Sequence, residues 1–133
     1  MTAFETMRLP ADPTDMAPDG SEVRVLLRVE AGGMAHFALP PGRVSRPVRH
    51  RTVEEIWYVV GGRGEMWRSQ AGRSDVVDLE RGVCISIPLG TSFQFRSLGP
   101  DPLAVIGVTM PSWPGADEAV PVGGCPEWSE AGA

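Results

Sequence analysis

The chain has 133 residues, 42% of them hydrophobic, with a formal net charge of −5 and a pI of about 5.0. That length suits one domain with a real core, the composition excludes a disordered polar chain, and the acidic balance argues against a nucleic-acid partner. It contains no lysine, which excludes Schiff-base chemistry through that side chain, and no asparagine, which excludes N-glycosylation.

In chain order, residues 1–21 are rich in Pro, Asp and Thr and read as an extended arm with turns, with Met7 and Leu9 as candidate anchors on a sheet. The opening MTAFETMRLPADPTD lacks the basic start and apolar run of a secretory leader. No apolar run approaches the ~20 residues of a membrane span. With two cysteines, Cys84 and Cys125, the chain does not read as a disulfide scaffold, so the expectation is free thiols in the cytoplasm.

Residues 22–110 read as strand after strand. EVRVLLRVE (22–30) alternates, with Val23, Val25, Leu27 and Val29 on one face. Ala31-Gly32-Gly33 turns the chain into residues 34–39, where Met34, His36 and Ala38 share a face. Pro40-Pro41-Gly42 ends that strand. Residues 44–51 form a third strand, interrupted by Pro47, with Val48 and His50 on one face by period-two alternation. Residues 55–60 follow: Glu55, Trp57 and Val59 face one way, and Ile56, Tyr58 and Val60 the other. Both faces are apolar, so both should be covered, the outer one by a chain terminus or a second subunit. Further strands fall at 65–69, 75–79, 82–87, 92–97 and 103–110, each pair separated by Gly- or Pro-rich turns. Cys84 is expected to be buried or half-buried. No stretch carries sustained helical periodicity, and the pattern predicts an all-β sandwich or barrel. Residues 111–133 are a Pro-rich tail in which Trp113 should pack over the barrel and the last five residues hang free.

Two glycine–proline frameworks set the register. The first runs Gly42, Val48, His50, Glu55, Gly62; the second runs Gly82, Pro88, Gly90, Phe93, Ser97. In spacing they resemble the two motifs of the cupin family. That resemblance implies an all-β double-stranded β-helix, or jelly-roll barrel, whose ligand positions point inward. The family's metal centre uses three histidines and a glutamate, and here only His50 and Glu55 fall on those positions. Val48 and Phe93 replace two of the histidines, and Ser97 stands where the second motif has asparagine.

The inferred site therefore has two forms. In one, His50 and Glu55 hold a small, partly apolar molecule in a pocket lined by Val48, Trp57, Phe93 and Phe95, with no metal and no certain cofactor. In the other, His36 completes a His50–Glu55–His36 set for Fe, Zn, Mn or Ni, in a metal-dependent enzyme of dioxygenase or isomerase type. A metal-free acid–base pair of His50 and Glu55 is a third arrangement. The arginines at 43, 46, 49 and 51 read as a solvated rim, and the apolar outer face of residues 56–60 predicts a homodimer.

Overall fold

The computed structural model describes residues 3–128, so the expected loose end at 129–133 lies outside the described residues. The strands are β1 (Asp15–Met16), β2 (Glu22–Val29), β3 (Gly32–Leu39), β4 (Val48–His50), β5 (Glu54–Gly61), β6 (Arg63–Gln70), β7 (Arg73–Glu80), β8 (Cys84–Ile87), β9 (Ser92–Ser97), β10 (Leu103–Met110) and β11 (Ala119–Pro121). They form two antiparallel sheets, ordered β1-β2-β3-β10-β5-β8 and β11-β4-β9-β6-β7. Apart from the hairpins β2–β3 and β6–β7, the connections from β3 to β10 cross between the sheets, so the chain is a jelly roll with its core between them. No helix among the described residues is long and apolar enough to cross a membrane.

The core is the inward parity of each strand. Trp57, Val59, Ile85, Ile87, Leu103 and Val105 come from the first sheet, and Val48, Met66, Leu79, Phe93 and Phe95 from the second. Trp57 sits in the middle, stacked on Phe37 at 5.6 Å and met edge-on by Phe95 at 5.0 Å and Phe93 at 6.1 Å. The four glycines of the two frameworks all have positive φ, between 74° and 94°. At Gly62 the reason is also steric. A Cβ there would strike the Pro102 carbonyl and come within 2.7 Å of the Leu103 Cα, so the turn from β5 into β6 passes too close to β10 for any side chain.

Several expectations change. The alternation of residues 22–30 is broken by a β-bulge: Val25 pairs with Ala35 and Arg28 with Gly33, so three steps on β2 answer two on β3. Inward parity switches from Val23 to Leu26 and Arg28, and Val29 is left exposed. The strand expected over 44–51 is only β4 plus an isolated Val44–Arg96 bridge, because Ser45 and Arg46 send their amides to Phe95 and Asp19 and Pro47 has none to give. Met7 and Leu9 do not anchor the arm and stand exposed. Arg24 holds it instead, donating to the carbonyls of Pro10 and Ala11 at 2.9 and 3.0 Å. Cys84 is exposed, on the outward parity of β8 beside Tyr58.

Both ends of the chain add edge strands. The arm contributes β1 beside β2, and the tail contributes β11 beside β4. Neither covers the outer face of β5, where Ile56 and Tyr58 remain 45% and 49% exposed.

Candidate functional site

A cavity of about 310 Å³ opens between the sheets at the end where the arm and the tail meet. It exists because the inner face of the first sheet carries small side chains there. Gly33 and Ala35 on β3 and Thr109 on β10 line it, with Phe37 and Trp57 walling one side. Gly107, between them, cannot carry a Cβ, which would sit 2.6 Å from the Phe37 ring and 3.3 Å from Trp57.

The polar corner is built from three segments. Val48 and His50 share the inward face of β4, and His50 is 6% exposed. Glu55 comes from β5 at 4% exposure. Its Oε1 accepts a hydrogen bond from Trp57 Nε1 at 2.9 Å, and its Oε2 lies 3.0 Å from His50 Nδ1. That second contact is a pairing by proximity: the nitrogen is out of line for a hydrogen bond, which leaves His50 Nδ1 buried without an aligned partner among the described residues. The imidazole is otherwise held by rings, Phe93 at 5.2 Å and Trp113 at 4.9 Å, both edge-on.

Asp19 is the third member, and sequence reasoning missed it. It lines the cavity from the arm and is 8% exposed. Its Oδ1 accepts from the Ser21 amide at 2.9 Å and the Ser21 hydroxyl at 2.7 Å. Burial pushes its carboxyl above the ordinary range. The two Ser21 hydrogen bonds oppose that rise, and the charge of Glu55 adds to it. The Asp-Gly-Ser run at 19–21 signals an Asx turn, which forms, but nothing in it says that the turn plugs into a barrel. Arg46 fixes the position, its amide donating to the Asp19 carbonyl at 2.8 Å and its guanidinium to that of Pro18 at 3.1 Å.

The tail closes the opposite side. A single 3-10 turn, Ala116–Glu118, leads into β11, where Ala119 pairs with His50. The Glu118 carboxylate accepts from the amides of Arg51 and Thr52 and from the Thr52 hydroxyl. Burial works against its ionisation, but those hydrogen bonds outweigh it, and the carboxyl is held below its ordinary range. This latch carries Trp113 onto His50.

Of the residues singled out from the sequence, Val48, His50, Glu55 and Trp57 line the cavity together. Phe93 and Phe95 do not: both are 1% exposed and fill the barrel beneath it. His36 does not join them either. It pairs with Arg24 and Ile106 on the parity opposite to Ala35 and Phe37, away from the cavity. Burial, and then the Arg24 charge, hold its pKa below the ordinary value.

Val48 and Phe93 are direct cross-strand partners on β4 and β9, so two ligand positions of the motif have become one apolar pair. Among the described residues no group of three or more His, Cys, Asp or Glu side chains is placed to hold a metal ion. The donors present do not fit the family's four-ligand centre: two of its positions carry only carbon, and His36 faces the other way.

The profile of the cupin domain matches residues 35–109, more than half of the chain. The chain belongs to the cupin family. The chain is 28% identical over 107 residues to an uncharacterised protein of Methanocaldococcus jannaschii, covering 77% of this chain and 82% of the relative. Its fold is similar to that of KdgF from Halomonas sp., with a TM-score of 0.64 at 23% identity, covering 75% of this chain and 87% of that one. It is also similar to the capsular polysaccharide assembling protein CapF from Staphylococcus aureus, with a TM-score of 0.69 at 15% identity over 77% of this chain. The chain spans only 32% of the length of CapF. At these identities the solved structures establish the fold alone. This cupin has the family's barrel without its full set of metal ligands.

Proposed function

We propose that this cupin binds a small, partly apolar molecule in the barrel cavity, held at its polar end by His50 and Glu55. The observation that carries the reading is the cavity itself. About 310 Å³ is enclosed by aromatic and small apolar side chains, with a few convergent polar groups at one end. That is the usual form of a small-molecule site. A thermal-shift screen against a broad metabolite panel tests it. A ligand should raise the melting temperature of the wild type in a concentration-dependent way and lose most of that effect against His50→Ala. A panel that never shifts the wild type would sink the reading.

The molecule is proposed to work as a homodimer in the cytoplasm. Support for the dimer is the outer face of the first sheet, where Met34, Ile56 and Tyr58 are exposed. Monomer alone in sedimentation velocity at micromolar concentration would remove it. Support for the compartment is the pair of free cysteines, Cys84 exposed and Cys125 buried.

A further inference from the structure

The charges around the cavity are unevenly placed. On the inner face of the first sheet, Arg28 pairs with Gly33, Gly33 with Thr109, and Thr109 with Glu55, forming one row across four strands. With neighbouring strands ~4.8 Å apart, the Arg28 and Glu55 backbones are separated by about 14 Å. Arg28 therefore stands at one rim of the cavity and Glu55 at the other. Asp19 and Asp15, both cavity-lining, come from the arm, so the full set of ionisable groups is Asp15, Asp19 and Glu55 against Arg28 and His50.

The corner at Glu55 is the anomaly. Two carboxyl groups more than nine-tenths buried, Asp19 and Glu55, meet one imidazole, whose Nδ1 is out of line with its carboxylate neighbour. Asp19 Oδ1 is taken by Ser21, and its Oδ2 has no protein partner among the described residues. The rings of Trp113, Phe37 and Trp57 line the cavity with small and apolar side chains such as Ala35, Val48 and Ala119. Carboxyls beside aromatic rings are the recognition chemistry of an organic cation, whose charge is attracted both to the anions and to the ring quadrupoles.

We propose that the cavity takes an ammonium-bearing small molecule, its cationic head lodged between Asp19 and Glu55 beside Trp113. This rests on the binding function proposed above and names its ligand class. The raised pKa of Asp19 agrees with it: burial, with the neighbouring Glu55 charge adding to it, makes a second negative charge costly there until a cation arrives. Arg28, at the far rim, excludes a second cationic group and tolerates an anionic tail.

The test uses three molecules of one shape and isothermal titration calorimetry on the full chain at neutral pH. They are choline, 3,3-dimethylbutan-1-ol, in which a tert-butyl group replaces the trimethylammonium, and 3,3-dimethylbutanoate, the matching carboxylate. Choline should bind wild type at least tenfold more tightly than either the neutral alcohol or 3,3-dimethylbutanoate, both of which lack the cationic head. In Asp19→Asn and, separately, Glu55→Gln, the choline-to-alcohol ratio should collapse toward one. Two variants are used so that a folding defect in either leaves the other informative. Equal or tighter binding of the neutral or anionic probe would overturn the charge assignment and leave the binding site standing. No binding by any probe, with a hit in the metabolite screen, would overturn the ligand class alone; no binding in either would overturn both.

Discussion

Removing the Glu118 carboxylate should unfasten the tail from the site without breaking the barrel. In the structure that carboxylate receives the Arg51 amide at 2.9 Å, the Thr52 amide at 2.8 Å and the Thr52 hydroxyl. On truncation to Ala the three donors fare differently. The Arg51 amide keeps a second acceptor, the Glu118 carbonyl at 3.0 Å, and the exposed Thr52 hydroxyl turns to water. The Thr52 amide loses its carboxylate partner outright. One charge-assisted hydrogen bond of this kind is worth about 1.5–3 kcal/mol, so Glu118→Ala should cost about 2 kcal/mol. In a chain of this size that corresponds to a drop of roughly 5–10 °C in melting temperature. Glu118→Gln retains an acceptor oxygen and should cost about half as much. The Glu118 pKa is held below its ordinary 4.5, so its contribution is present above pH 4.5 and is lost as pH falls through the depressed value. The gap between wild type and Glu118→Ala should therefore close in acid. The assays are thermal unfolding across pH, and hydrogen exchange at Val120, the β11 residue in the hydrogen-bonded pair with Arg49, which should quicken in the variant as β11 lifts from β4. A loss below about 0.5 kcal/mol, or a gap that persists unchanged into strong acid, would refute the latch.

Three further outcomes follow from the same geometry. Asp19 behaves oppositely to Glu118. Its folded pKa lies above 3.8, so its contribution is full below that pH and lost as pH rises through the raised value, and Asp19→Asn should gain stability relative to wild type from acid to neutral pH in urea titrations. A constant difference would show that the arm does not bury that carboxyl. Gly62→Ala should cost about 3 kcal/mol or more, read by denaturant unfolding, because its positive φ and the closeness of Pro102 and Leu103 leave a Cβ nowhere to go. A neutral result there would contradict the β5–β6 turn. Val48→His combined with Phe93→His should create divalent-metal binding measurable by elemental analysis, since the two positions face each other and adjoin His50. The double variant should lose about 2–3 kcal/mol of stability from the lost Phe93 burial. A folded double variant that takes up no metal would mean that the barrel has lost the ligand geometry as well as the ligands.

Much of the barrel could be read from the chain. Period-two alternation located the strands from residue 22 to 110 apart from the one at 44–51, which shortened to β4, and the glycines at 42, 62, 82 and 90 marked turns with positive φ. His50, Glu55, Val48 and Trp57 could be placed on one wall because alternation and motif spacing agree there. The bulge in β2 was not legible. It inserts one residue without a glycine or proline to announce it, and so sends Leu26 and Arg28 inward in place of Leu27 and Val29. Phe93 and Phe95 were read as cavity wall because they face inward, but inward residues divide into those beside the hollow and those beneath it, and strand parity is blind to depth.

Sequence alone determined what is local or periodic: the all-β strand pattern, the motif spacing that resembles a jelly roll, the missing metal-ligand side chains, and the shared face of Val48 and His50. Tertiary structure alone decided which face of β3 carries His36, that Asp19 of the arm joins the polar corner, and that the tail lays Trp113 on His50. The physical reason is range. Alternation acts between a residue and its second neighbour. The arm is placed by Arg46, 27 positions beyond Asp19, and the tail by Thr52, 66 positions before Glu118, through hydrogen bonds that no pattern within either segment encodes.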